Sequence, residues 1–418
     1  MTVEELLNHE CFNDLKYRKE EDKKHDIKVI GIGNGGGNAV NSLFYDDIGG
    51  ATLIVCDTND RKLQASPVAT QILLKTPSRE QINLEKYSTN EQEQIENYYK
   101  LTNGKPGLGA GNSPIIAQLA AENTLTEINK LLEEDTKMVF LTASMGGGSG
   151  TGATAVIAEA CQKFDILTVG IVTLPFGWEG KPKMRQAWAG VEKMKPFVDA
   201  LLIILNDNLT NEKILEKYKD QLSTTEDGKI EPAADEIFKL ADNVLADAVK
   251  SVVELVEKTG YIDLDFADIN TALKRGGGTI MDSGFATGEN RFYKAMGNAL
   301  GSPLLHNISI SKATKIILAV FSSKDYKFNK SEFEEIQAFS EQFAEEYWFK
   351  LGMYYDDTLG EKAKVTIIAS GAEDSNDIPP ELERIFNNII NDKSPLKQLD
   401  LEEELNKYQT QTAYSRVG

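Results

Sequence analysis

Apolar and polar residues fall in alternating blocks along most of the chain. A β-type run opens at Ile27 (IKVIGIG), and a second follows at 51–57 (ATLIVCD). The residues between them, from about Asn38 to Tyr45, carry helical spacing. The alternation continues with strands at 137–144 (KMVFLTAS), 166–175 (ILTVGIVTLP) and 200–206 (ALLIILN), separated by helices at about 114–133, 151–163 and 181–196. Strands alternating with helices predict a Rossmann-like parallel sheet covered by helices, an α/β class. The strongest helical signal lies at 231–259. There Ile237, Leu240, Ala241, Val244, Leu245, Ala248, Val252, Leu255 and Val256 recur at three- and four-residue spacing. Gly260 supplies a C-terminal stop. A helix of about 28 residues runs roughly 40 Å, which suits a spine between two halves. Beyond it, strands at 279–286, 315–323, 348–357 and 362–371, with helices at about 288–300 and 330–346, predict a C-terminal α+β domain with a small mixed sheet.

Three segments break the pattern. Residues 1–26 read as a polar extension with one short helix, and 373–418 as a polar tail with a short helix in NDIPPELERIFNNII. Residues 76–106 are rich in Glu, Gln and Asn and read as an inserted surface segment with a helix near 90–101. The expected layout is therefore an extension at 1–26, a nucleotide-binding domain at 27–230, a central helix at 231–260, a C-terminal domain at 261–372 and the tail. No internal repeat is visible.

Composition narrows the function classes. No apolar run approaches the ~20 residues of a membrane helix, and the charged N-terminus lacks a signal-peptide core, so a cytoplasmic protein without direct membrane insertion is expected. The net charge of −20 argues against nucleic acid as a partner and against an anionic membrane surface. Cys11, Cys56 and Cys161 are too few for a disulfide framework and read as buried thiols where they sit in apolar segments. His9, His25 and His306 are scattered and make no metal cluster.

The chemistry lies in glycine loops. GIGNGGGNAV (31–40) follows a strand and opens a helix, where backbone N–H groups can approach a phosphate and the helix dipole favours an anion. Gly31, Gly33 and Gly36 satisfy G-x-G-x-x-G, and Asp57 lies after the next strand, so this segment alone also fits a dinucleotide-binding oxidoreductase. GGGSGTG (146–152) is a second loop at a strand–helix junction. Two such loops on neighbouring strands surround a phosphate chain from both sides, and Ser149 and Thr151 add hydroxyl donors. GLGAGNSP (107–114) precedes another helix and can close over a terminal phosphate. No G-x-x-x-x-G-K-[ST] occurs, because the GK pairs at Gly104, Gly180 and Gly228 lack a following Ser or Thr. RGGGT (275–279) reads as a turn entering a strand.

Taken in order, GIGNGGGNAV, GLGAGNSP, MGGGSGTG, TLPFGWEGKPKM, LNDNL, FKLADNVL and DLDFADI closely resemble the motifs of the FtsZ family of bacterial tubulin homologues, over about residues 27–372. The resemblance implies the two-domain tubulin/FtsZ fold and a GTPase that assembles into the division ring at mid-cell. It implies GTP/GDP as ligand, with Mg²⁺ and, as a second candidate cation, K⁺. Gly33, Asn34, Gly35, Gly36, Gly37 and Asn38 would cradle the phosphates together with Gly146, Gly147, Gly148, Ser149, Gly150, Thr151 and Gly152. Gly107, Gly109, Ala110 and Gly111 would sit near the γ-phosphate, and Pro175 and Lys183 beside the nucleotide. Glu179 would hydrogen-bond the ribose, Asn206 and Asp242 would read the guanine edge, and Phe238 would stack on the base. Phe238 and Asp242 are four residues apart and share a helix face, as those two roles require.

The acidic loop Asp263, Asp265 and Asp268 follows the long helix. Some 18 helical residues separate Asp242 from Gly260, roughly 27 Å, too far for one triphosphate to span. Asp265 and Asp268, the candidates for orienting the attacking water, must then act on a neighbour's nucleotide. Such a heterologous head-to-tail contact generates open filaments. The resemblance implies the same self-association, with membrane-tethering division adaptors as further partners. The chain departs from the family at Asp263, where Asn is usual; at DTND (57–60); at Lys183, which replaces an Arg fork with a point charge; in the 76–106 insertion; and in its tail, where DIPPELERIF (377–386) only partly matches the adaptor-binding peptide. A divergent paralogue with weak GTPase activity and a structural or regulatory role, and a NAD-binding oxidoreductase, stay open as alternatives.

Overall fold

A computed structural model of the chain describes residues 25–225, 227, 229–300, 313–340 and 347–371. The short helices expected in the N-terminal extension and the tail, the DIPPELERIF segment, Cys11, His9 and His306 lie outside the described residues.

The first part of the chain alternates as the hydrophobic blocks predict. Its elements are β1 (Ile27–Ile32), α1 (Gly33–Tyr45), β2 (Thr52–Asp57), α2 (Asp60–Gln64), β3 (Thr70–Leu73), α3 (Thr89–Thr102), α4 (Pro114–Leu132), β4 (Met138–Ser144), α5 (Ser149–Lys163), β5 (Leu167–Leu174), α6 (Lys181–Met194), β6 (Ala200–Leu205) and α7 (Glu212–Lys217). The long helix is α8 (Ala234–Glu257). It is followed by α9 (Phe266–Leu273), β7 (Gly277–Gly278), β8 (Ile280–Ala286), α10 (Arg291–Leu300), β9 (Lys315–Ser322), α11 (Lys330–Ser340), β10 (Trp348–Tyr355) and β11 (Ala363–Ser370). The large sheet has strand order β3-β2-β1-β4-β5-β6-β7, with every pair parallel. The small sheet has order β10-β9-β11-β8, with β10 parallel to β9 and β11 antiparallel to both its neighbours, a mixed sheet as expected.

Parallel strands are buried on both faces and therefore read as continuous apolar runs. One face of the large sheet packs Val29, Phe140, Val169 and Ile171 against Val40 and Leu43 of α1 and against Leu245, Val249 and Val252 of α8. The same core continues into the small sheet through Ile317, Ala319, Phe321 and Ile368. Helix α8 is thus the element both sheets share, and its apolar stripe is wide because it has two surfaces to cover. On the other face of the small sheet, Leu318, Val320 and Ile367 meet Phe292 and Met296 of α10 and Ile336 and Phe339 of α11.

Three local expectations change. Helix α1 begins at Gly33, not near Asn38, so the glycine run is itself helical. Glycine disfavours a helix by ~1 kcal/mol per residue relative to alanine, so propensity does not place it there; close packing does, as shown below. RGGGT does more than turn: Gly277 and Gly278 pair with Ala200 and Leu201 and extend the large sheet by a short edge strand. Gly260 does not cap α8, which ends at Glu257. A Cβ at Gly260 would lie 2.4 Å from the Met353 carbonyl oxygen, so this glycine admits the close approach of β10.

The 76–106 segment has a small core of its own. Ser88 and Glu91 form a reciprocal capping box that starts α3. Ile95, Tyr98 and Tyr99 then share one face and are buried with Ile82, Ala110 and Ile115 to Ile116 of the α4 region. The segment reads as polar because a single helix face carries its apolar residues.

Within the C-terminal region, Arg291 and Glu332 form a buried ion pair at 2.7 Å, each less than a tenth exposed. The guanidinium also donates to the carbonyls of Tyr326 at 2.7 Å and Glu361 at 3.2 Å. Removing one partner of a buried pair strands the other charge, at a cost of ~3–5 kcal/mol. Arg291→Ala is expected to lose about that much in urea denaturation, whereas Lys330→Ala, on an exposed pair with Glu334, should change stability by under about 0.5 kcal/mol.

Candidate nucleotide site

Strands β1 and β4 are hydrogen-bonded neighbours, with Ile32 opposite Ala143. The strand order reverses between them, and open α/β sheets leave a crevice at the carboxyl ends of such a pair. The first glycine loop leaves β1 and the second leaves β4, so both open on this crevice. They touch at main-chain distance. A Cβ at Gly36 would lie 2.1 Å from the Thr142 carbonyl oxygen, and the Thr142 hydroxyl donates to the Gly36 carbonyl at 3.3 Å. Gly33, at φ +72°, would place a Cβ 2.8 Å from the Gly150 nitrogen. Gly35 lies against Ser144, and Gly152 against Pro114. Gly37 and Gly147 differ, because nothing lies within 4 Å of a Cβ at either. Packing does not require glycine there, and the room is free for a ligand. Neither α1 nor α5 has a side-chain cap or an acidic residue in its first turn. Their first N–H groups therefore suit an anion.

The hydroxyls of the second loop are engaged within the protein. Ser149 donates to Asp57 at 3.0 Å and lies 2.8 Å from the Thr58 hydroxyl. The Thr151 oxygen accepts from the Gly146 N–H at 2.8 Å. These bonds shape the loop. Asp57, which a dinucleotide fold would turn toward a ribose, instead ties β2 to the second loop; burial pushes its pKa up. The third loop lies against the second, since a Cβ at Gly148 would be 2.9 Å from that of Ala110. The loop is joined to the turn after β2 by Gly109 N–H to the Thr58 carbonyl at 3.0 Å and Asp60 N–H to the Gly107 carbonyl at 3.1 Å. Gly107, Gly109, Ala110 and Gly111 are thus brought to the same crevice.

At the other end of the crevice, Asn38 donates to the Asp242 carboxylate at 2.9 Å, joining α1 to α8. Burial raises the Asp242 pKa to about 7, against the lowering effect of the Asn38 bond. Asn206 is buried beside β6, and its side-chain oxygen has no partner. An acceptor so placed needs a donor from outside the chain. Phe238 is 41% exposed and meets Phe176 and Trp178 edge-on, with ring centroids 5.4 and 5.7 Å apart. Glu179 accepts from the Phe176 N–H at 2.9 Å and pairs with Lys183. Pro175 and Lys183 both pack on Gly146.

Asp265 and Asp268 are not brought to this crevice. Asp265 caps α9, accepting from the Asp268 N–H at 2.8 Å, while Asp268 accepts from the Asp265 N–H at 3.2 Å. Lys350 pairs with Asp268 at 2.9 Å, and Asp263 accepts from the Gly260 N–H. From Asp242 to the end of α8 is about 22 Å at 1.5 Å per residue, and the acidic loop lies beyond that. Among the described residues no group of three or more His, Cys, Asp or Glu could hold a metal. The donors beside the glycine loops are amides, hydroxyls and the Asp57 carboxylate, with the Asp242 and Glu179 carboxylates at the other end of the crevice. That set fits a cation carried in by phosphates, which needs few protein ligands.

Sequence reasoning missed two glutamines. Gln186 of α6 donates to the carbonyls of Gly146 at 3.0 Å, Gly147 at 3.1 Å and Asn112 at 3.2 Å, fastening two loops together. Gln94 of α3 accepts from the Ser113 hydroxyl at 2.6 Å. Neither lies in a motif, and no local pattern marks a glutamine that reaches a distant loop.

The model of the tubulin/FtsZ family GTPase domain matches residues 26–213, and that of the FtsZ family C-terminal domain matches 277–373. The chain is 36% identical to the cell division protein FtsZ of Porphyromonas gingivalis over 382 residues, 90% of this chain and 74% of that protein. It is 35% identical to the FtsZ of Buchnera aphidicola, over 84% of this chain and 80% of the relative. Among solved structures, an empty FtsZ dimer from M. jannaschii superimposes with a TM-score of 0.66 at 30% identity, covering 89% of this chain and 93% of that one. A GTPγS-bound CetZ2 protofilament from Haloferax volcanii has a TM-score of 0.62 at 16% identity, over 87% and 97% of the two chains, which is a likeness of fold alone. By sequence over most of its length and by fold, the chain belongs to the FtsZ family of tubulin-like GTPases.

Proposed function

We propose that the chain binds GTP in the β1–β4 crevice, hydrolyses it to GDP and phosphate, and polymerises head-to-tail into cytoplasmic filaments that act at the division site. The buried Asp242 carboxyl, joined through Asn38 to the first glycine loop, carries this reading. An ionised carboxylate accepts from the N1–H and the amino group of guanine together. Adenine offers an acceptor at that edge and is rejected. Asn206 supplies the neighbouring unpartnered acceptor. Phe238 offers an exposed ring for the base, Glu179 an acceptor for the ribose, and Pro175 and Lys183 close the side of the second loop. The N–H groups of Gly33 to Asn38 and Gly146 to Gly152 hold the phosphates, and Gly107 to Gly111 close on the third. Mg²⁺ carried in by the phosphates would neutralise their charge, and K⁺ is a second candidate cation.

Hydrolysis needs a water in line with the γ-phosphorus, whose bond to the bridging oxygen breaks as the new P–O bond forms. None of the three glycine loops carries an acid that could orient that water, and the Asp57 carboxylate beside them is engaged by Ser149. The acidic loop carries such acids but lies beyond the far end of α8. Asp265 and Asp268 therefore act on the nucleotide of the next subunit, which couples turnover to assembly. The relatives named as cell division proteins support the cellular role. Among the described residues no helix is long and apolar enough to cross a membrane; membrane-tethering adaptors are further partners in this reading. A second reading, a filament with weak turnover, is favoured by one feature: Asp265 and Asp268 already bond each other, and Lys350 holds Asp268.

Asp265→Ala and Asp268→Ala should each retain GTP binding and lose tenfold or more of phosphate release, roughly the low end of general acid–base effects. Unchanged release in variants that still sediment with GTP would remove these residues from the mechanism. Wild-type specific activity should rise with protein concentration and then level; a constant value across the assembly threshold contradicts a shared site. The pH dependence follows from Asp242. In the nucleotide-free chain its folded pKa, about 7, lies above the ordinary 3.8. Folding then holds an extra proton between about pH 4 and 7, and the contribution of this group to stability declines as pH rises through that window. Guanine needs the ionised form, so GTP affinity should rise with pH up to about 7, by at most about tenfold per unit, and then flatten. Titrations of wild type and Asp242→Asn between pH 6 and 8 check this, the variant being weak and flat.

A further inference from the structure

The insertion reaches the third glycine loop. Ser113 occupies the N-cap of α4, where a serine ordinarily accepts from a backbone N–H of the first turn. Here it makes no such bond. Its hydroxyl instead donates to Gln94 Oε1 on the inserted helix at 2.6 Å. Three residues earlier, Ala110 is buried in the cluster formed by Ile95, Tyr98 and Tyr99 of the same helix. The loop that carries these anchors has left-handed backbone at Gly107 and Gly109 before Ala110 and at Gly111 and Asn112 between the two. A chain with so many positive-φ positions has several accessible paths, and outside contacts select one. Ala110, Asn112 and Ser113 also lie against Gly148 of the second glycine loop. The inserted helix therefore backs the segment that faces the end of the phosphate chain.

We propose that Gln94 is a positioning residue that holds loop 107–113 in its closed path, so that the 76–106 insertion sets the preference of the site for GTP over GDP. This rests on the assignment of that loop to the terminal phosphate made above. Gln94 acts through Ser113 and touches no nucleotide. A loop held in place costs the triphosphate less ordering on binding, while a diphosphate, which does not reach the loop, is indifferent.

The test is binding of GTPγS and GDP to the nucleotide-free full chain by calorimetry. Wild type should prefer GTPγS. Gln94→Ala should reduce that preference about three- to tenfold, the reach of one neutral hydrogen bond, with GDP affinity within about twofold of wild type. Ser113→Ala should do the same, and the double variant no more than either single one, since both remove one bond. Gln94→Glu, which keeps an acceptor at the same reach, should restore most of the preference. Arg79→Ala breaks an exposed ion pair of the insertion with Glu96 and should leave the preference unchanged. An unaltered preference in Gln94→Ala overturns the proposal. So does an equal loss in Arg79→Ala, which would reduce the effect to general loosening of the insertion. If Gln94→Ala does not fold, Ser113→Ala decides alone. A wild-type chain that binds GTP and GDP equally overturns the reading of the loop itself, and the proposal with it.

Discussion

The site depends on the parallel pairing of β1 with β4. That pairing places two glycine loops side by side where the strand order reverses. Its cost is steric, because main chain must pass main chain where side chains would normally stand. Gly36 against the Thr142 carbonyl and Gly33 against Gly150 are the points where any side chain would push the loops apart. Gly33, Gly35 and Gly36 in the first turn of α1 follow from the same need. A weak helix former is accepted at the start of α1 because the tertiary contact leaves no room for a better one.

Helix α8 is the second constraint. It presents Asp242 to the crevice at one end and leads to the acidic loop at the other, while its apolar stripe is buried by both sheets. That packing runs along the helix, so Asp242 and the acidic loop are held toward opposite ends of it. The crevice end retains polar groups at a cost to the empty fold. Asp242 is held partly uncharged by burial, and the Asn206 oxygen has no partner. Groups of this kind destabilise a protein unless a ligand completes them.

Residues 76–106 add to how the third loop is held. Without that segment, the contacts left to loop 107–113 would be those with the turn after β2, the second glycine loop and Gln186 of α6. Here it is fastened on a further side through Ala110 and Ser113, while Gln186 joins it to the second loop from α6. The anchors are side-chain bonds between segments distant in sequence, the kind of contact that varies while the strands beneath stay fixed.

Much of this was legible in the amino-acid order. Continuous apolar runs marked strands buried on both faces, three-and-four spacing marked α8, and glycines at strand ends marked the loops, because each is a local rule with a fixed period or a fixed junction. The motif order identified the family. Local rules misplaced the start of α1, the role of Gly260 and the RGGGT strand, since in each case a residue's reason is a neighbour far along the chain: Thr142, Met353 and Leu201. They did not show that Ser149 bonds Asp57 or that Thr151 accepts from Gly146 within the loops. Gln94 and Gln186 carried no signal at all. The sequence by itself determined the elements, their order and the chemistry of the loops. Only the tertiary structure decided which loops touch, which polar groups stay open and what holds the third loop, because those depend on distances between segments that no local pattern encodes.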